Sequence, residues 1–218
     1  MARQERAVQT RIAILEAAAA AFGERGYDAT PVTEVYERAG VTKGALYFHF
    51  GSKEDLARAI LDQAVTTEGV APHELRLQEL ADILLLMAYR LPREPVLNAA
   101  LRLSVDLPSQ QLFGTRWPDW SDLLTRLLAE ARERGEVHPY VDEAETARIL
   151  VGAWTGVRLV TAGLPGDFDL VREVVALLRL IVPSLAVPTV LARLDISAER
   201  AATLYAEMTA KEGEDRGE

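Results

Sequence analysis

Apolar residues recur at three- and four-residue steps along almost the whole chain, and no segment shows the strict alternation of a half-buried strand. That periodicity restricts the chain to an all-α fold. Val8, Ile12, Leu15, Ala19 and Phe22 form the first such stripe, and Gly26 is placed to end the helix in a left-handed residue. Thr30-Pro31 reads as an N-cap followed by a proline at the first helical position. The second helix then carries Val32, Val35, Tyr36 and Ala39 inward and stops at Gly40. Thr42 caps a short third helix running to about Phe50, and Ser52-Lys53-Glu54-Asp55 opens a fourth with Leu56, Ile60 and Leu61 on its buried face. Further helices are expected at about 74–91, 94–105, 118–134, 142–163, 167–183 and 189–211. Pro92, Pro95, the stretch 106–117 and the segment Pro183 to Pro188 serve as separators. The last residues, 213–218, read as a polar tail.

With 218 residues the chain can bury a sizeable core, and charged residues interrupt every apolar run before it reaches membrane-spanning length. No membrane partner is expected. The absence of cysteine removes disulfides, thiolate catalysis and cysteine-ligated zinc, and fits a reducing cytoplasm. His73 and His138 have no helix-spaced partner for a metal, so neither metal nor cofactor is expected. The chain lacks a Gly-x-Ser-x-Gly elbow, a Gly-x-Gly-x-x-Gly turn and a phosphate loop, which argues against a catalytic role. The net charge is −9, yet residues 1–60 carry eight basic and eight acidic side chains. The acidic excess therefore lies entirely beyond residue 60, leaving a neutral head that can still present a basic face to phosphate.

The most informative stretch is TEVYERAGVTKGALYFHFGSK, residues 33–53. Two short helices meet at Ala39-Gly40-Val41, where glycine permits the sharp turn of a helix-turn-helix. Val35, Ala39, Val41 and Leu46 form the apolar wedge between them. The third helix offers Thr42, Lys43, Gly44, Ala45 and Tyr47 near its leading end. Small Gly44 and Ala45 allow close backbone approach, and Lys43 can donate to guanine N7 or O6. Tyr47 and His49 have the reach for phosphate oxygens. Lys53, opening the fourth helix, adds charge to a helix N-terminus. Phe48 and Phe50 are expected in the core, with Tyr47 outside.

The run GVTKGALYFHFGSKEDL, residues 40–56, resembles the signature of TetR-family repressors, as does the preceding ILEAAAAAFGERGYDATPVTEVYERAG. The resemblance implies a three-helix DNA-binding head, residues 1–60, on a larger helical ligand-binding and dimerisation domain, residues 61–212. It implies a homodimer reading a partly palindromic duplex operator. It also makes Thr33, Thr42, Lys43, Gly44, Ala45, Tyr47, His49 and Lys53 the DNA-facing positions, with Arg3 and Arg6 as a mobile arm. MARQERAVQTR, KGALYFHF, PVLNAALRLSVD and the tryptophan before the seventh helix are similar to the γ-butyrolactone autoregulator receptors of antibiotic-producing actinobacteria. Those are repressors released from DNA by a small lactone.

A lactone with an alkyl tail needs an apolar pocket, an aromatic plate and a few polar groups. By position Trp120 matches that family's ligand-stacking tryptophan, with Trp117 its rival. Gln63, read as part of the fourth helix, Met87, Trp154, Thr155 and Thr161 are the other effector candidates. Gly152 and Gly156, four apart, permit close helix approach, and Val171, Val174 and Leu178 give the next helix an apolar face. In the family these two helices form the subunit interface. Two other regulators remain open: a sensor of an antibiotic or other hydrophobic compound, and a receptor homologue without lactone response.

Overall fold

The computed structural model describes residues 2–165 and 168–215. It contains α1 (Ala2–Arg25), α2 (Val32–Arg38), α3 (Lys43–His49), α4 (Lys53–Leu61), α5 (Arg76–Arg90), α6 (Pro95–Val105), α7 (Leu107–Phe113), α8 (Trp117–Glu133), α9 (Glu143–Gly163), α10 (Leu170–Leu185), α11 (Pro188–Leu191) and α12 (Ala198–Asp215). Among the described residues there is no strand, only an isolated antiparallel bridge between Val137 and Ala186. The chain divides into two compact units. One holds Met1–Thr66 and Leu91–Arg116; the other holds Thr67–Arg90 and Trp117–Glu218. The head expected at 1–60 lies within the first unit, which also takes in α6 and α7.

In the first unit, α1 packs on α2, α4 and α6. Its buried face runs through Ile14, Ala17, Ala18, Ala21 and Phe22. The stripe read from the sequence is therefore rotated: Val8 and Ile12 are exposed. The alanine run 17–21 gives little contrast between faces, so only the neighbouring helices decide which side is covered. The helix also reaches back to Ala2, which makes Arg6 part of α1 rather than of a mobile arm. The side chain of Arg3 lies outside the described residues.

Thr30 does not cap α2. It is fully buried, and its hydroxyl donates to Gly26 O at 2.7 Å and Ala21 O at 3.2 Å, while Pro31 occupies the cap position. The threonine thus satisfies carbonyls at the C-terminal end of α1, where helices leave acceptors unpaired. Helix α7 falls in a stretch read as a separator. Asp106 starts it, accepting from Ser109 N at 3.0 Å and Ser109 Oγ at 2.6 Å. The Asp-Leu-Pro-Ser sequence, a capping aspartate with proline in the first turn, is the signal that marks it.

In the second unit α5 is buried continuously from Leu80 to Ala88 and packs on α8, α10 and α12. A helix apolar on nearly all sides belongs at a centre. Its first turn is closed by Glu136, whose buried carboxylate accepts from Arg76 N at 3.0 Å and Leu77 N at 2.9 Å. Gly69 (φ +84°) lies so close to this core that a Cβ there would meet Leu86 Cδ2 and Met208 Sδ at 2.8 Å. Proline 183 does not end α10, which continues to Leu185 and closes with Ala186 N donating to Val182 O at 2.9 Å. The helix expected over 189–211 is instead two, α11 and α12, broken at 192–197. Helix α12 carries into the stretch expected as tail, and residues 216–218 lie outside the described residues.

Candidate nucleic-acid interface

Helices α2 and α3 are joined by Gly40 at φ +64°, with Val41 N donating to Tyr36 O at 3.0 Å. Val35 and Leu46 are fully buried, and Ala39 and Val41 pack against them, so the expected wedge fixes the pair. Thr42 caps α3 by accepting from Ala45 N at 3.1 Å. Thr33, Thr42, Lys43, Gly44 and Tyr47 are exposed, while Ala45 and His49 are half-buried. The N–H of Ala45 is thus engaged by the cap, whereas the outward side chains of Lys43 and Tyr47 flank the open surface over Gly44. A Cβ on Gly44 would meet nothing nearer than Thr42 Oγ1 at 3.9 Å.

Phe48 is a correction. It is 82% exposed, whereas Phe50 is 4% exposed. Leu46 and Phe50 are four residues apart and share the buried face; Phe48 is two from each, about 200° around a helix, and must point the other way. Its ring meets His49 edge-on at 5.2 Å.

Two arginines of the head, Arg25 and Arg38, are engaged in ion pairs between α1 and α2. Arg38 forks onto Glu24 at 2.8 and 2.6 Å and also meets Glu34 at 2.7 Å. These bonds hold the Arg38 guanidinium protonated and push the Glu24 carboxyl below its usual range. Arg25 pairs with Glu34 at 3.1 Å. Lys53 is half-buried, its ammonium 4.3 Å from the centre of the Tyr27 ring. Burial pulls its pKa down, opposed by Asp28 and Glu54.

The effector candidates divide between the units. Gln63 belongs to the first, in the turn after α4 and not on the helix as expected, because α4 ends at Leu61; its side chain is exposed. Met87, Trp120 and Trp154 belong to the second and are nearly buried. Trp117 is half-buried. Their helices α5, α8 and α9 pack together, with Trp154 Nε1 donating to Leu84 O at 3.2 Å. The Trp154 indole N–H is therefore already engaged within the chain. Thr155 and Thr161 are half-buried, and Thr161 donates back to Val157 O at 2.7 Å. Neither the surface hollow beside Gln4 and Val8 nor that beside Arg179 and Leu194 is lined by any of these candidates.

Three of the five expected interface residues turn inward. Val171, Val174 and Leu178 are buried in this chain's own core, because α10 also packs on α5 and α12. Gly152 and Gly156 have no atom within 4 Å of a built Cβ. The outward residues beside them are Ile149, Leu159 and Val160 on α9, with Leu180 on α10 79% exposed. The signal for these was present in the helical register of Gly152 and Gly156, which places Ile149 and Val160 on the same side.

The geometry defines a helix-turn-helix protein whose second helix is exposed, carried on a chain that is otherwise helical. Residues 14–60 match the model for bacterial regulatory proteins of the tetR family, and residues 74–188 match a tetracyclin repressor-like C-terminal domain. The A-factor receptor protein of Streptomyces griseus is 40% identical over 206 residues, covering 91% of this chain and 74% of that protein. The full-length native TetR regulator tylp from Streptomyces fradiae superposes with a TM-score of 0.86 at 42% identity, over 93% of this chain and 99% of the other. A γ-butyrolactone receptor described as an ArpA-like protein superposes with a TM-score of 0.69 at 32% identity, over 93% and 98%. The chain belongs to the TetR family of bacterial regulatory proteins.

Among the described residues, no helix is long and apolar enough to cross a membrane.

Proposed function

We propose that this chain is a homodimeric repressor that reads a partly palindromic operator through α3 and is released from it by a small apolar effector of the γ-butyrolactone class. The observation that carries the reading is the exposed leading edge of α3. Thr42, Lys43, Gly44 and Tyr47 lie outside on a helix whose inner face, Leu46 and Phe50, is buried. Such an edge fits the major groove, where a lysine can address guanine and neighbouring groups reach phosphate. Thr33, His49 and Lys53 are the further proposed DNA contacts.

The effector reading is supported by the similarity to the A-factor receptor and to a γ-butyrolactone receptor. It is supported also by the apolar, aromatic packing of Met87, Trp120 and Trp154 in the second unit. The lactone must bind the DNA-free conformation more tightly than the DNA-bound one, and that difference sets the extent of release. Dimerisation is supported by the outward apolar side of α9 and α10, with Gly152 and Gly156 allowing a second helix to approach.

The test is selection of bound duplexes from a random pool, followed by titration of the recovered duplex with and without a γ-butyrolactone. A shared palindromic sequence and lactone-dependent release are expected. Release by another hydrophobic compound but not by lactones would move the effector to that class. Recovery of no common sequence would overturn the repressor reading.

A further inference from the structure

Lys53 does not project freely. Its ammonium lies 4.3 Å from the centroid of the Tyr27 ring and 5.9 Å from that of Phe22. The Tyr27 ring is in turn fixed by two edge-on neighbours, Phe22 at 5.5 Å and Phe113 at 4.9 Å. Arg58, on the same helix as Lys53, stacks over Phe113 at 5.6 Å. The result is a ladder of cation, ring, ring and cation, in which α4 supplies both cations, the turn after α1 supplies one ring and α7 supplies the other. Asp28 and Glu54 are the charged groups facing Lys53, and the same two carboxylates bear on the Tyr27 hydroxyl. A second tie joins the same two segments: Arg116, just after α7, pairs with Asp62, just after α4.

We infer that Phe113 is a positioning residue for DNA binding: by bracing the Tyr27 ring it fixes where Lys53 presents its charge. The inference rests on the proposed reading of Lys53 as a phosphate contact. A lysine on a four-carbon stem ordinarily samples many rotamers, and holding its ammonium on an aromatic face removes that freedom before DNA arrives. Phe22, on the buried face of α1, meets the Tyr27 ring at 5.5 Å, and Phe113 approaches it more closely, at 4.9 Å. Phe113 makes that contact from α7, a helix far along the chain.

The experiment compares Lys53→Met, Phe113→Leu, Phe113→Ala and the Lys53→Met/Phe113→Leu double variant. Each is titrated against the duplex recovered by selection, across a range of salt. Each lost phosphate contact lowers the slope of log affinity against log salt by about 0.9. Lys53→Met is expected to flatten the slope by about that amount per protomer. The Phe113 variants are expected to weaken binding by roughly three- to tenfold and to flatten the slope toward the Lys53→Met value. In the Lys53→Met background, Phe113→Leu should add nothing. Nuclear magnetic resonance of the DNA-free protein gives an independent readout. The Lys53 ε-methylene protons should show an upfield ring-current shift that shrinks in Phe113→Leu, whose apolar side chain keeps the fold.

An unchanged slope and an unchanged ε-methylene shift in the Phe113 variants would overturn the inference. So would a loss of affinity that simply adds to that of Lys53→Met. An unchanged slope in Lys53→Met itself would instead remove the reading of Lys53 as a phosphate contact.

Discussion

Arg200 of α12 holds the carboxylate of Asp82 on α5 in a bidentate fork, with Nε donating to Oδ1 at 2.6 Å and Nη2 donating to Oδ2. Asp82 is 2% exposed, and Gln78 Nε2 completes its shell at 2.7 Å while also donating to Asp195 O at 3.0 Å. The last helix is thereby tied to the centre of the second unit by a satisfied polar cluster. The Asp82 carboxylate holds the Arg200 guanidinium protonated. Removing one member of a buried pair leaves the other charge stranded. Arg200→Ala is accordingly expected to lower unfolding stability by roughly 2–4 kcal/mol, between the limits for exposed and buried pairs. Urea denaturation measures it, and a loss of under about 1 kcal/mol would show that the pair behaves as a surface one.

Thr30 distinguishes a donor from a cap. As an N-cap it would tolerate aspartate, one of the favoured capping residues. As a buried donor to the carbonyls of Ala21 and Gly26 it cannot, because an ionised carboxylate only accepts. Thr30→Asp should therefore lower the melting temperature far more than Thr30→Ser. Equal melting temperatures for the two variants would restore the capping role.

Tyr27 gives the head an alkaline limit. Burial, followed by the charge of Glu54, pushes its pKa from 10.0 up to about 12. Because the folded state holds the phenolic proton more tightly, its contribution to stability is complete below about pH 10 and is lost as the pH rises through about 12. Ultraviolet titration should find one tyrosine ionising near that value in the folded protein. Tyr27→Phe should lose less stability than the parent over the same interval. A parent and variant that decline in parallel would contradict the assignment.

Leu180 tests the proposed subunit contact. It is 79% exposed and lies with the outward residues of α9 and α10. Leu180→Arg should leave the protomer folded, since no core contact is removed, but shift sedimentation from dimer to monomer and abolish tight operator binding. A variant that sediments and binds like the parent would place the interface elsewhere.

Much of this molecule is legible in its residues. The three- and four-residue steps give the helices, Gly26 and Gly40 give the left-handed turns, and residues 40–56 give the DNA-reading segment. All of these are local, set by backbone sterics and by side chains a turn apart. Other features needed the assembled chain. The alanine-rich α1 has almost no contrast between its faces, so only packing selected Ile14 over Ile12. Val171, Val174 and Leu178 suit a partner's surface as well as their own core until α5 and α12 cover them. The contact among Phe113, Tyr27 and Lys53 joins residues that no sequence period connects. Local sequence sets what a segment can become; which of its faces is hidden depends on what else in the chain arrives to hide it.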